Sequence, residues 1–200
     1  MRTIGALIFP DFELLDLYGP LEMFSMYPDA FEQRIVAQYS PDVPSSAGPR
    51  TAVDDQIGEQ DDYDILLIPG GRGTRTDVDN EALIDWIRRA AAKAEIVASV
   101  CTGSALLAKA GLLDGKAATT NKRAFDWVAG YGPKTDWRRR ARWVEDGDVF
   151  TASGVSAGTD MSLAVIERLL GPEKAAQAAV WAEYERNQDP DNDPFALEET

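Results

Sequence analysis

Along this chain, short apolar runs alternate with longer amphipathic ones, and the short runs are continuous rather than alternating. Residues 3–9, 65–68 and 96–100 are such runs, bounded by Pro, Gly, Asp or a change of period, and residues 31–38, though more polar, read as a further strand. Unbroken aliphatic and small residues over four to eight positions predict strands buried on both faces. Residues 80–94 put Leu83, Ile84, Ile87 and Ala91 on one side, with Arg88, Arg89 and Lys93 toward the C-terminal end, which predicts an amphipathic helix. Further helices are expected over 103–110, 122–129, 157–170 and 172–187. A strand is expected at 116–120, and a hairpin over 143–152 turning at Asp146-Gly147. Near the N-terminus, Pro20 suits a first helical position after Gly19, with Glu22 in the first turn. That places Asp16 on the turn just ahead of the helix start, or at it. Residues 41–49, rich in Ser, Pro and Gly, read as a loop, with a short strand returning at 51–53.

Strands alternating with helices specify an α/β fold with a mostly parallel sheet and helices on both faces. No repeat and no linker divides the chain. The expected organisation is one domain over residues 1–187, followed by an acidic tail at 188–200 that is extended or docked on a neighbour. Sheets of this kind bind ligands at the carboxyl ends of their strands.

One such end stands apart. In Ile96-Val97-Ala98-Ser99-Val100-Cys101-Thr102-Gly103, a buried strand gives way to a helix with no room for a loop between them. Cys101 lies at that corner, like the nucleophile of an elbow turn. Helix N-terminal amides there would favour its thiolate. Taken alone, a cysteine in an apolar strand is a small core residue; the abrupt turn into Thr102-Gly103 argues for a reactive thiol. A second strand end, Ile68-Pro69-Gly70-Gly71, reads as a tight turn by itself. If its strand neighbours that of Cys101, the Gly70, Gly71 and Thr102 amides form an oxyanion-type pocket facing the thiol. Asp16 is either a turn or cap aspartate, or a carboxylate brought to Cys101 by the first strand. Glu22 competes for that role and reads better as a capping residue. Arg72 and Arg75 are candidates for holding an anion, or are solvated loop arginines.

Composition narrows the chemistry. The chain has 200 residues, no histidine, one cysteine and a formal charge of −14. The missing histidine removes Cys-His and Ser-His-Asp constellations and most zinc sites. A single cysteine forms no internal disulfide, and cytoplasmic location is the default expectation. The negative charge disfavours nucleic acid and anionic membrane surfaces. No apolar run reaches the ~18 residues of a membrane span.

Five motifs occur in order: Leu15-Asp16-Leu17-x-Gly19-Pro20, Ile68-Pro69-Gly70-Gly71, Ser99-Val100-Cys101-Thr102-Gly103, Ala110-Gly111-Leu112-Leu113-x-Gly115-x-x-Ala118-Thr119-Thr120, and Gly154-x-x-Ala157-Gly158-x-Asp160. Over residues 3–171 the chain resembles the ThiJ/PfpI superfamily of class I glutamine amidotransferase-like proteins, and most closely its isocyanide hydratase branch. The resemblance implies a flavodoxin-like sandwich, a homodimer, and Cys101 as nucleophile with Asp16 beside it. It also implies a small electrophilic substrate taken without cofactor or metal, in a pocket shaped by Gly71, Thr102 and the Val155 region. Where relatives commonly carry histidine this chain has Asn121, which weakens a protease or amidase mechanism. Two other readings share the family: a glyoxalase-like hydratase of small carbonyl compounds, and a protein in which Cys101 is oxidised for redox or stress signalling.

Overall fold

In the computed structural model, which describes residues 1–39 and 41–196, the apolar runs become the inner strands of one seven-stranded sheet. In chain order the elements are β1 (Arg2–Ile8), α1 (Leu14–Ser25), β2 (Phe31–Ala37), β3 (Asp42–Pro44), β4 (Arg50–Ala52), β5 (Asp55–Gln56) and β6 (Ile65–Ile68). There follow α2 (Thr74–Asp77), α3 (Glu81–Ala91), β7 (Ile96–Val100), α4 (Gly103–Lys109), β8 (Ala117–Ala118), a 3-10 turn (Lys122–Ala124) and α5 (Phe125–Ala129). The chain continues through β9 (Asp136–Trp137), β10 (Trp143–Asp146), β11 (Val149–Ala152), α6 (Ala157–Leu170) and α7 (Pro172–Trp181).

The main sheet runs β10-β11-β7-β6-β1-β2-β5. Every pairing in it is parallel except the β10–β11 hairpin. Helices α1, α6 and α7 pack together as one group, and α2, α3, α4 and α5 as another. This is the mostly parallel, helix-covered sheet that the alternating pattern predicts, and the flavodoxin-like α/β sandwich that the resemblance implies. Its central strands are deeply buried: every residue of β6 and β7 is buried, as are Ile4 through Ile8 of β1. Such burial drives the fold at roughly 25 cal/mol per Å² of apolar surface.

Register aligns the strand ends that matter. Ile68 of β6 pairs with Ser99 of β7, and Ala6 of β1 pairs with Leu67 of β6. The segments after β1, β6 and β7 therefore emerge side by side, with the Gly70 turn between Asp16 and Cys101.

Several boundaries differ from the sequence expectation. Helix α1 begins at Leu14, so Asp16 lies in its first turn and Pro20 inside it. A proline there forfeits one backbone hydrogen bond. The helix persists because Leu17, Leu21, Met23 and Phe24 are buried along it and it packs against α6. Helix α7 stops at Trp181 rather than running to 187, since Glu183 takes a positive φ of 50°. Only Ala117–Ala118 of the expected strand at 116–120 is paired, with β9, in a separate two-stranded sheet. The helix expected over 122–129 opens as a 3-10 turn capped by Asn121.

The tail, as far as residue 196, docks on its own chain. Arg142 N donates to Pro190 O at 2.7 Å, and Asp193 N donates to Arg140 O at 2.7 Å. Asp193 is buried against Ser153 and Arg142. Arg142 Nε in turn donates to Asp160 Oδ2 at 2.6 Å, while Tyr184 and the Asn187 amide donate to Asp160 Oδ1. Residues 197–200 of the expected tail lie outside the described residues.

Candidate active site

Cys101 follows β7 directly, with φ at +56°. A non-glycine residue in this left-handed region is strained by roughly 1–3 kcal/mol, and the surroundings hold it there. The Cys101 amide donates to Ala152 O at 3.1 Å, and its carbonyl accepts from Ser104 Oγ at 3.0 Å and Thr120 Oγ1 at 2.9 Å. Strand β11, helix α4 and the segment after β8 thus converge on one backbone unit, which produces the elbow expected from the sequence.

Asp16 is wholly buried and Cys101 only 7% exposed. Gly70 N donates to Asp16 Oδ2 at 2.9 Å. The other carboxyl oxygen, Oδ1, closes no hydrogen bond. The Cys101 thiol and the Val155 amide also face this carboxyl. Val155 itself has a positive φ of 40°.

The expectation of free amides from Gly70 and Gly71 is not met. The Gly70 amide is taken up by Asp16, and Gly71 N donates to Thr102 Oγ1 at 3.1 Å. Both turn inward because polar side chains delivered by α1 and by the Cys101 corner reach them first. A Cβ on Gly70 would lie 2.6 Å from Thr102 N and 2.9 Å from Asp16 Oδ2. The glycine is therefore required by close approach. Among the expected amide donors, that of Thr102 is the one directed at the cysteine sulfur.

The expectation that helix amides hold Cys101 as thiolate also needs correction. Burial pushes the thiol's pKa well up, and the neighbouring Asp16 charge pushes it further. The Thr102 amide, the Asn121 side chain and the Thr102 hydroxyl oppose this without reversing it. Helix α4 is only seven residues long, so its N-terminal field does not overcome desolvation. Burial likewise raises Asp16, to about 7, with the Gly70 amide opposing and the Glu13 charge adding to the rise. Both shifts favour the protonated forms, burial raising the thiol and raising the carboxyl to about 7. Chemically, a thiol beside such a carboxyl can serve as a nucleophile with an adjacent general base.

A cavity of about 380 Å³ is walled by Asn121, Lys122, Gly154, Val155, Asp193 and Phe195 among others; neither Cys101 nor Asp16 lines it, and it adjoins them through Asn121 and Val155. Asp193 and Phe195 come from the tail, and nothing in their local sequence signals that role. Glu22, the competing carboxylate, is exposed. Arg72 reaches Ser46 O, and Arg75 stacks on Trp127 at 4.7 Å, so neither approaches the cysteine as a ligand. A second cavity of about 380 Å³, lined by Phe9, Pro44, Arg72, Asp77 and Leu83 among others, likewise includes neither Cys101 nor Asp16, and none of its lining residues is among those that face the pair. Among the described residues, no group of three or more Cys, Asp or Glu side chains is placed to hold a metal, and no helix is long and apolar enough to cross a membrane.

A family model of DJ-1/PfpI proteins matches residues 2–168. The chain belongs to the DJ-1/PfpI family. Within that family it is 36% identical to an isonitrile hydratase of Pseudomonas putida over 183 residues, covering 90% of this chain and 78% of the relative. It is 31% identical to the Parkinson disease protein 7 homolog of Danio rerio over 121 residues, 60% of this chain and 62% of that one. A ThiJ/PfpI family protein from Pseudomonas syringae superposes with a TM-score of 0.84 at 31% identity, covering 97% of this chain and 77% of the other. This DJ-1/PfpI domain thus resembles both an enzyme and members of other kinds.

Proposed function

We propose that this protein is a cysteine-dependent hydratase of the isocyanide hydratase type, converting an isocyanide to an N-substituted formamide. The observation that carries the reading is the buried Asp16 carboxyl, which accepts from Gly70 N at 2.9 Å and is faced by the Cys101 thiol, with its pKa pushed up to about 7 by burial. The 36% identity to an isonitrile hydratase over most of both chains supports it.

In this mechanism Asp16 accepts the thiol proton as Cys101 Sγ attacks the terminal isocyanide carbon. Asp16 then returns that proton to the same carbon, giving a neutral thioimidate, R–N=CH–S–Cys. Water next adds to the carbon while Asp16 takes one of its protons and passes it to nitrogen. The tetrahedral adduct collapses, its hydroxyl proton returns to sulfur, and R–NH–CHO leaves with the thiol restored. Each turnover consumes one water and no electrons. The Thr102 amide steadies developing charge on sulfur, and Gly71 with Val155 shapes the pocket.

The same pair would serve a glyoxalase-like hydratase of small carbonyl compounds, which keeps that second reading. A paired assay decides between them. Hydration of an aryl isocyanide with methylglyoxal left intact supports the proposal, whereas the reverse outcome overturns it. A homodimer in the cytoplasm completes the proposal. Exposed Leu15 and Tyr18, each 44% accessible on α1 beside Asp16, are apolar surface that a second copy would cover. Light scattering on the purified chain gives the oligomeric state.

A further inference from the structure

We infer that Asn121 is a catalytic residue whose side-chain amide donates to Cys101 Sγ as the sulfur loses its proton. The inference rests on Cys101 being the nucleophile of the proposed reaction, and it deepens that reading. Asn121 caps the 3-10 turn at Lys122–Ala124, with its Oδ1 accepting from Arg123 N at 3.0 Å and Ala124 N at 3.1 Å. Two backbone donors on one oxygen settle which end of the amide is which, because a flip would set Nδ2 against two N–H groups. The NH₂ end is thereby locked away from the turn. Nδ2 closes no hydrogen bond to an oxygen or nitrogen acceptor among the described residues. It lies 2.8 Å from where a Cβ on Gly154 would stand, so the bare Gly154 backbone leaves room for it at the cavity wall.

The segment is also fixed relative to the elbow. Thr120, one residue earlier, donates its hydroxyl to the Cys101 carbonyl at 2.9 Å. The Asn121 side chain faces the Cys101 sulfur and opposes the rise that burial imposes on the thiol. A neutral amide whose acceptor end is occupied presents only donors to the sulfur. It stabilises a thiolate without bringing a proton of its own that titrates in the working range. That suits a site where Asp16 alone moves the proton.

The test separates capping from donation. Asn, Asp and Ser are comparably good helix N-caps, so Asn121→Asp and Asn121→Ser keep the acceptor oxygen while deleting the NH₂ donor. Cys101 is the only cysteine, so iodoacetamide alkylation of the full chain reports on it directly. The measurement is the alkylation rate against pH, together with the thermal midpoint and isocyanide kcat. Asn121→Ser is expected to alkylate about tenfold more slowly at neutral pH, as suits loss of one hydrogen bond to a charged group. Its rate profile moves to higher pH with the thermal midpoint unchanged, and kcat falls in parallel. Asn121→Asp moves the profile further, since it adds a negative charge. If Asn121→Ser unfolds, Asn121→Asp carries the test. Either folded variant alkylating like the parent protein, with the same pH profile, overturns the inference. If the profile shifts but the parent protein leaves isocyanides unchanged, the donor role stands and the proposed substrate falls.

Discussion

Gly70 donates its backbone amide to Asp16 Oδ2 at 2.9 Å, and this bond orients the buried carboxyl, which the Cys101 thiol and the Val155 amide also face. An isolated buried carboxylate is costly, so such a group tends to keep a proton. The Gly70 bond offsets part of that cost. The balance falls where catalysis at neutral pH needs it.

Replacing Asp16 by Asn keeps an acceptor for Gly70 and removes the base. Turnover is expected to fall by roughly 10²–10⁴. Stability should move the other way. Asp16 has its folded pKa raised from 3.8 to about 7, so between these values the native state holds the proton more tightly than the unfolded chain. The parent protein's contribution from this group is therefore lost as pH rises through that window. Asp16→Asn is expected to be more stable than the parent by roughly 2–4 kcal/mol at pH 8, with the gap closing toward pH 4. Urea unfolding of both proteins at pH 4, 6 and 8 measures it, and a gap that ignores pH would contradict the burial argument.

Cys101→Ala deletes the nucleophile and little volume. We expect a folded protein with no isocyanide turnover and, in mass spectra of stopped reactions, no substrate adduct. Full turnover by this variant would end the thioimidate mechanism.

Gly70→Ala would force its Cβ to 2.6 Å from Thr102 N and 2.9 Å from Asp16 Oδ2, so backbone and carboxyl must separate. Overpacking of this kind costs about 1–3 kcal/mol, and misplacement by about 1 Å can cost ~10²-fold in rate. A drop in kcat larger than the change in KM, with a lowered thermal midpoint, is the expected result.

The tail's anchor makes a graded prediction. Asp160→Ala removes the main partner of buried Arg142 and should cost about 3–5 kcal/mol. Asp193→Ala leaves the Arg142–Asp160 pair at 2.6 Å intact, so its stability loss should be smaller. It releases the segment that carries Phe195 at the cavity wall, however, so KM should rise more than kcat falls. Chemical denaturation and steady-state kinetics on the two variants distinguish these effects.

Much of this was legible without coordinates. The continuous apolar runs at 65–68 and 96–100 determine parallel strands buried on both faces, and the missing loop between Val100 and Gly103 determines an elbow at Cys101. These are local consequences of side-chain period and chain geometry, carried by neighbouring residues. The missing histidine likewise removed several mechanisms from the residue inventory alone. Other features became settled only when distant segments met. The Gly70 and Gly71 amides turn to Asp16 and Thr102 rather than to open space because those side chains arrive from α1 and from the Cys101 corner. Helix α1 runs through Pro20 because its buried face outweighs one lost hydrogen bond. The tail's place at the cavity depends on Arg142 and Ser153, far earlier in the chain. The state of the cysteine shows the difference most sharply. A helix N-terminus, visible in the sequence, argues for thiolate, while desolvation and the Asp16 charge argue for thiol and prevail. Desolvation sums over every group packed around the sulfur, so only the tertiary structure could decide it.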